Sequence, residues 1–245
     1  MHPLGRSPGP GGLFLDLMKL CVTNLVYEDD PDVWARREDA RDGGGPAATM
    51  IGLTRLDNIQ QLMEDTLAKN VPGDFIEAGA WRGGATVFMR AVLKVHGVTD
   101  RKVWVADSFE GFKPGTSTHP ADRRLGLHKH ALFVSPIEIA KNHFARYDLL
   151  DDQVVFLEGW FKDTLPTAPI KKLAVLRIDA DLYQSTMDAL ISLYPKVSRG
   201  GYIINDDYGW FPDAAGKAVD DFRAKNGIKS PLRKIDYTAV YWRKE

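Results

Sequence analysis

Two apolar runs in this chain end in carboxylates: Ala174-Val-Leu-Arg-Ile-Asp179-Ala-Asp181 and Gly201-Tyr-Ile-Ile-Asn-Asp206-Asp207. Ligands of α/β sheets bind outside the carboxyl ends of the strands, so acids delivered there by neighbouring strands can share one hard cation. Asp179, Asp206 and Asp207 would repel one another if ionised together, and a divalent ion relieves that repulsion. An all-oxygen donor set points to Mg²⁺, with Ca²⁺ or Mn²⁺ as substitutes, and a single cysteine with scattered histidines offers no zinc spacing. The bland reading of the same acids is that they cap the helices that follow the strands.

A third strand end carries Glu77-Ala-Gly79-Ala-Trp81-Arg82-Gly83-Gly84. Glycines at a strand-to-helix turn let backbone approach a ligand, and the helix N-terminus supplies free amides. Trp81 stands where a dinucleotide turn has its second glycine, which disfavours a pyrophosphate and hence NAD. Asp107 ends the next strand, where a carboxylate can accept from both hydroxyls of a ribose. Leu157-Glu-Gly159-Trp160-Phe161 places a glycine between aromatics suited to stacking an adenine, although both rings could equally be core. An adenosyl cofactor facing a metal suggests methyl transfer. The cation would lower the pKa of the acceptor hydroxyl while a carboxylate takes its proton. Asp181, two residues beyond Asp179 and pointing the same way in an extended backbone, is the first candidate base, with His128 and His130 as competitors. Tyr183, Tyr208 and Trp210 are candidates for the acceptor wall.

These residues need a parallel sheet to bring them together, and the chain supplies the pattern. Strand-like runs at 74–78, 102–107, 154–158, 173–179 and 202–206 alternate with helical periodicities at 84–96, 137–147, 185–194 and 214–226. That alternation specifies right-handed βαβ units, and short runs at 232–235 and 240–243 split by Asp236-Tyr-Thr add a hairpin with an antiparallel strand. Ahead of the sheet, apolar spacing predicts helices over 13–27 and 53–69. Between them, Asp29-Asp-Pro31 and Gly43-Gly-Gly-Pro46 have loop chemistry, and the stretch is long enough for a lid or an interface segment. Residues 1–12, rich in Gly and Pro, read as a disordered extension, and 13–245 as one domain whose N-terminal helices and lid occupy 13–70. A segment from Glu110 to Ser135 lacks periodicity and falls at the carboxyl edge, where an insertion of that length is usually functional or disordered.

Bulk composition narrows the partners. The 245 residues carry 32 basic and 33 acidic side chains, a formal net charge of −1, so no global field draws the chain to nucleic acid or an anionic membrane. No run approaches the roughly 18 apolar residues of a membrane span, and the lone Cys21 fits a reducing cytoplasm. A small-molecule partner is the expectation.

Six blocks carry a family resemblance: Thr49-Met-Ile-Gly52, Pro72-Gly-Asp-Phe-Ile-Glu77, Trp81-Arg-Gly-Gly84, Val105-Ala-Asp-Ser-Phe-Glu-Gly111, Gly159-Trp-Phe-Lys-Asp-Thr-Leu-Pro166 and Asp206-Asp-Tyr-Gly209. Over about Leu13 to Arg243 the chain resembles the macrocin O-methyltransferase family. The resemblance implies a Rossmann-like class I methyltransferase fold, with a mostly parallel seven-stranded sheet and an antiparallel terminal strand. It implies S-adenosylmethionine as methyl donor, Mg²⁺ dependence, a glycoside acceptor methylated on a deoxysugar hydroxyl, and a homo-oligomer to which the N-terminal segment contributes. On matching positions Thr49, Met50, Glu77, Gly79, Trp81, Arg82, Gly83, Asp107, Ser108, Gly159 and Trp160 would surround the cofactor. Asp179, Asp206 and Asp207 would hold the metal, and Asp181 would be the base. The chain departs from the family at Ala48, Ala180 and 210–216, all near the expected acceptor site. Competing readings are a catechol-like or other phenolic methyltransferase, an NAD-dependent oxidoreductase and a non-catalytic scaffold.

Overall fold

The computed structural model describes residues 9–38, 45–115 and 117–245. A seven-stranded sheet runs through it in the order β3-β2-β1-β4-β5-β7-β6. The strands are β1 (Asp74–Ala78), β2 (Val103–Asp107), β3 (Val154–Glu158), β4 (Leu173–Ile178), β5 (Val197–Asn205), β6 (Arg233–Lys234) and β7 (Val240–Arg243). The first five pair in parallel, and β7 enters antiparallel between β5 and β6, as the terminal hairpin pattern predicts. Every residue of β4 is buried, which is what a central parallel strand covered on both faces requires.

The period of two along the strands sorts side chains into two cores. Phe75, Val103, Val105 and Ile204 face helices α1 (Gly9–Val22), α3 (Leu53–Ala68), α4 (Gly84–Val95) and α6 (Ile137–Arg146). Ile76, Trp104, Leu176, Ile178 and Ile203 face α8 (Tyr183–Leu193) and α9 (Lys217–Lys225). The remaining helices are α2 (Pro31–Glu38), α5 (Pro120–Leu125) and the single turn α7 (Phe161–Thr164). Among the described residues no helix is long and apolar enough to cross a membrane.

Three local expectations change. Residues 9–12, expected in a disordered extension, form the first turn of α1; a Cβ at Gly11 would lie 2.7 Å from Val95 Cγ1, so the glycine permits close packing on α4. Residues 1–8 lie outside the described residues. The helix expected to run to residue 27 ends at Val22, and Asn24 takes the left-handed conformation at φ 59°. The 28–48 stretch contains α2, which Asp30 starts by accepting from the Asp32 amide at 2.8 Å with Pro31 in the first turn. Its C-terminus packs so tightly on the start of α3 that a Cβ at Gly52 would fall 2.2 Å from the Glu38 carbonyl oxygen. Residues 39–44 of the proposed lid are outside the described residues.

Candidate active site

Strand register builds the site. Ala78 pairs with Ile178, and Ile178 with Asn205, so the next residues of β1, β4 and β5 emerge side by side. The ladder continues past the strands: the Asp179 amide donates to the Ala78 carbonyl at 2.8 Å, and the Asp206 amide to the Ile178 carbonyl at 2.9 Å. The strand order reverses at β1 and β4, and the cleft opens there, at the topological switch point. It holds a cavity of about 410 Å³.

Asp179, Asp206 and Asp207 come together at its floor, with one carboxylate oxygen of each within 4.8 Å of the others. Two buried guanidiniums share the floor. Arg177, the penultimate residue of β4, pairs with Glu77, Asp179 and Asp206. Arg55, from α3, pairs with Asp206 and with Asp236 and donates to Thr238 Oγ1. Five carboxylates (Glu77, Asp179, Asp181, Asp206, Asp207) therefore face two permanent cations, and the acids remain in excess. Burial pushes the Glu77 carboxyl up to about 8 against the opposing Arg177, and pushes Asp179 up to about 6, with Asp206 adding to the rise and Arg177 and Arg55 opposing it. Asp181 and Asp207 are raised well above the ordinary range, first by burial and then by neighbouring acids. An all-oxygen donor set in which Asp206 raises the pKa of both Asp179 and Asp207 fits a divalent cation. Asp207 does not cap the helix that follows β5: its Oδ2 accepts from the amides of Ala180 and Asp181, in the turn after β4, at 3.0 and 2.9 Å.

Asp181 also lines the cavity, but not as an extended continuation of β4. Its φ is 55°, so a tight turn after Asp179 aims it. His128 and His130 are exposed on the insertion and do not line this cavity.

The other half of the cavity centres on Asp107. Asp107 is held by two backbone donors, the amides of Trp81 and Phe109, each at 2.8 Å, which aims its carboxylate into the space. Burial raises its pKa and those two amides oppose the rise. Thr49, Met50, Glu77, Gly79, Trp81, Ser108, Gly159 and Trp160 line the same cavity. Gly79 is needed for a reason the sequence did not suggest: a Cβ there would sit 1.6 Å from the Asp179 carbonyl oxygen, so its bareness lets β1 and β4 converge.

Arg82 and Gly83 do not reach the cavity. Arg82 turns away to cover the Trp81 ring at 4.1 Å and donates to the carbonyls of Gly45 and Ala47, supporting the segment that presents Thr49 and Met50. Gly83, at φ 80°, precedes α4 and packs against Ala140. Tyr183 and Tyr208 also leave the acceptor wall, because their hydroxyls reach Asp221 and Asp220 near α9. Trp210 stays on the rim, joined by Phe112, Leu132, Phe133, Phe211 and Tyr237.

Comparisons with known proteins give the family. A family model described as macrocin-O-methyltransferase (TylF) matches residues 12–244. The chain belongs to the macrocin O-methyltransferase family. It is an S-adenosylmethionine-dependent O-methyltransferase. It is 52% identical over 242 residues, 94% of this chain and 92% of the relative, to 8-demethyl-8-(2,3-dimethoxy-alpha-L-rhamnosyl)-tetracenomycin-C 4'-O-methyltransferase of Streptomyces olivaceus. It is 47% identical to the mycinamicin III 3''-O-methyltransferase of Micromonospora griseorubida, covering 97% of this chain and 99% of that one. The solved O-methyltransferase NovP superposes with a TM-score of 0.91 at 50% identity, covering 96% of this chain and 99% of that one. The calicheamicin methyltransferase CalS11, at TM-score 0.63 and 20% identity over 97% of this chain and 94% of that one, shares the fold.

In this methyltransferase the two buried arginines are what sequence reading missed. Arg177 had a signal: one cation inside an otherwise apolar strand must find buried acids. Arg55 had none, since its partners Asp206 and Asp236 lie 151 and 181 residues away.

Proposed function

We propose that the enzyme methylates a sugar hydroxyl of a glycosylated natural product in a divalent-cation-dependent reaction, with Asp181 as base. The observation that carries this reading is the juxtaposition, in one cavity, of a half lined by Asp107, Gly159 and Trp160 and an acid-rich floor ending at Asp181. The three relatives named for sugar-bearing acceptors, among them demethyldecarbamoylnovobiocin O-methyltransferase of Streptomyces niveus, support the acceptor class.

Asp107 would accept from the ribose hydroxyls, Trp160 would stack on the adenine, and Thr49, Met50, Gly79, Ser108 and Gly159 would enclose the cofactor. Trp210, Phe211 and Tyr237 would pack against the apolar side of the acceptor. Asp179, Asp206 and Asp207 would hold Mg²⁺, whose chemistry when bound is to orient an acceptor hydroxyl and lower its pKa. Asp181 takes the hydroxyl proton as the oxygen attacks the sulfonium methyl; the C–S bond breaks, the O–C bond forms, and S-adenosylhomocysteine leaves. Arg177 and Arg55 keep Asp206 and Asp179 in place on the floor.

The enzyme would act in the cytoplasm as a homo-oligomer. The exposed apolar side chains Leu13, Phe14 and Leu17 on α1 support self-association, which light scattering on the purified protein reads directly.

The test is calorimetric titration of S-adenosylhomocysteine, followed by turnover assays with demethyldecarbamoylnovobiocin, mycinamicin III and a panel of simple catechols, each with Mg²⁺ and with chelator. Methylation of a glycoside that needs Mg²⁺ supports the reading. Preference for the catechols would move the acceptor to phenols, and equal turnover in chelator would remove the cation.

A further inference from the structure

The insertion at 110–135 has one anchor that the reaction scheme does not use. Helix α8 begins directly after the turn that carries Asp181, yet its own N-cap position is Leu182, which offers no side-chain acceptor. First-turn amides of a helix need partners, and an apolar cap leaves them open. Asp122 of α5 supplies them from across the cleft mouth: Oδ1 accepts from the Tyr183 amide at 2.7 Å and Oδ2 from the Gln184 amide at 3.0 Å. Asp122 is buried, and Ser117 Oγ donates to its Oδ2. Beside it the His119 ring stacks on Tyr183 at 3.8 Å with an 8° tilt. On the far side of the insertion, Trp81 Nε1 donates to the Leu132 carbonyl at 2.9 Å.

Ala121 and Leu127 are buried beneath the segment, and Phe112 meets Phe133 edge-on at 5.0 Å. Leu132 and Val134 are 43% and 51% exposed, and a second cavity of about 140 Å³ opens among the insertion's own residues and Leu182. With that space beside it, the wall takes part of its position from its polar fixed points. We propose that Asp122 is a positioning residue, a cap donated in trans that fixes the acceptor wall (Phe112, Leu132, Phe133) to the turn bearing Asp181. The proposal rests on the reading of Asp181 as base and of this wall as the acceptor side.

The consequence is a coupled effect on acceptor chemistry that a plain helix cap would not produce. Asp122→Ala, assayed well below its melting temperature with the best glycoside of the panel above, is expected to lower kcat at least tenfold and raise the acceptor KM. The dissociation constant for S-adenosylhomocysteine should stay within about threefold. Cleavage by trypsin after the exposed Arg123 and Arg124 should accelerate at least tenfold. Asp122→Asn keeps one acceptor oxygen and should recover part of both effects, and it carries the same test should the alanine variant not fold. Wild-type kcat and KM in a folded variant with a lower melting temperature would reduce Asp122 to a structural cap and overturn the proposal. So would unchanged trypsin cleavage, which reads the clasp without any substrate. Failure of the unmodified enzyme to methylate any glycoside would instead strike the acceptor reading and leave the cleavage result to decide the clasp.

Discussion

The two walls of the cleft are built in opposite ways. The floor of acids is delivered by consecutive positions of three hydrogen-bonded strands, braced by two guanidiniums that are themselves buried. The insertion wall is a chain of short turns and 3₁₀ segments, with several apolar side chains in solvent and a few polar fixed points. A strand end has no freedom to reposition without breaking ladder bonds, so the first wall suits chemistry that tolerates little displacement. An irregular segment held at points can differ between relatives without disturbing the sheet, so the second suits acceptor choice.

The sharpest way to break this contrast is to remove chemistry from the rigid wall without moving it. Asp181→Asn should cut turnover by roughly 10²–10⁴, the range for loss of a general base, with S-adenosylhomocysteine affinity nearly unchanged. Single-turnover kinetics and calorimetry check it, and a change confined to acceptor KM would move the proton-accepting role elsewhere. Next is the brace. Arg177→Met leaves Glu77 and Asp206 buried without their shared partner, and loss of one member of a buried ion pair costs about 3–5 kcal/mol. Denaturant unfolding should show that loss in full, whereas stability within about 1 kcal/mol of the parent would mean the acids were already neutral.

At the aromatic rim, on the segment after β5, effects should be smaller and fall on the acceptor. Trp210 is 56% exposed there and edge-on to Tyr237 at 6.0 Å. Trp210→Ala should raise the acceptor KM about tenfold, roughly 1.4 kcal/mol, without lowering the melting temperature. An unaltered KM would take the aromatic rim out of acceptor binding.

A half-buried pair gives the baseline. Arg90 and Asp151 form a bidentate contact away from both walls, and the Arg90 hydrogen bond holds the Asp151 carboxyl below its usual range. Because the folded pKa is the lower one, the pair's contribution is present above the unfolded pKa and fades as pH falls through the folded value. Asp151→Asn should therefore cost about 1 kcal/mol at pH 7, given the acid's exposure, and progressively less as pH falls through the folded value. Melting curves at pH 7 and at acid pH measure it.

Sequence patterning reached the sheet more surely than it reached the site. Apolar runs located the central strands because burial on both faces leaves a continuous hydrophobic signal, and β4 is buried at every position, whereas β6, the exposed Arg233-Lys234, was legible only through the hairpin pattern. The acids at its end were visible for the same reason, since a carboxylate directly after such a run has nowhere to go but the strand's mouth. Arg82, in contrast, sits in a block that also carries cavity residues, yet its side chain points to Gly45 and Ala47. Which way a long side chain turns depends on partners elsewhere in the chain. Tyr183 fails as a pocket residue similarly: the helix start that was legible does not reveal that His119, 64 positions earlier, will occupy its ring face.

Local patterning thus determined the βαβ order, the antiparallel hairpin, the strand-end acids and the family blocks, because each rests on neighbours within a few residues or on runs of fixed period. Tertiary structure alone decided that Arg55 meets Asp206, that Asp122 caps a helix it does not belong to, and that Gly79 is bare for the Asp179 carbonyl. Those contacts join segments 61 to 151 residues apart, or 100 in the case of the glycine, and only the register of the folded sheet and the docking of helices on it set their distances.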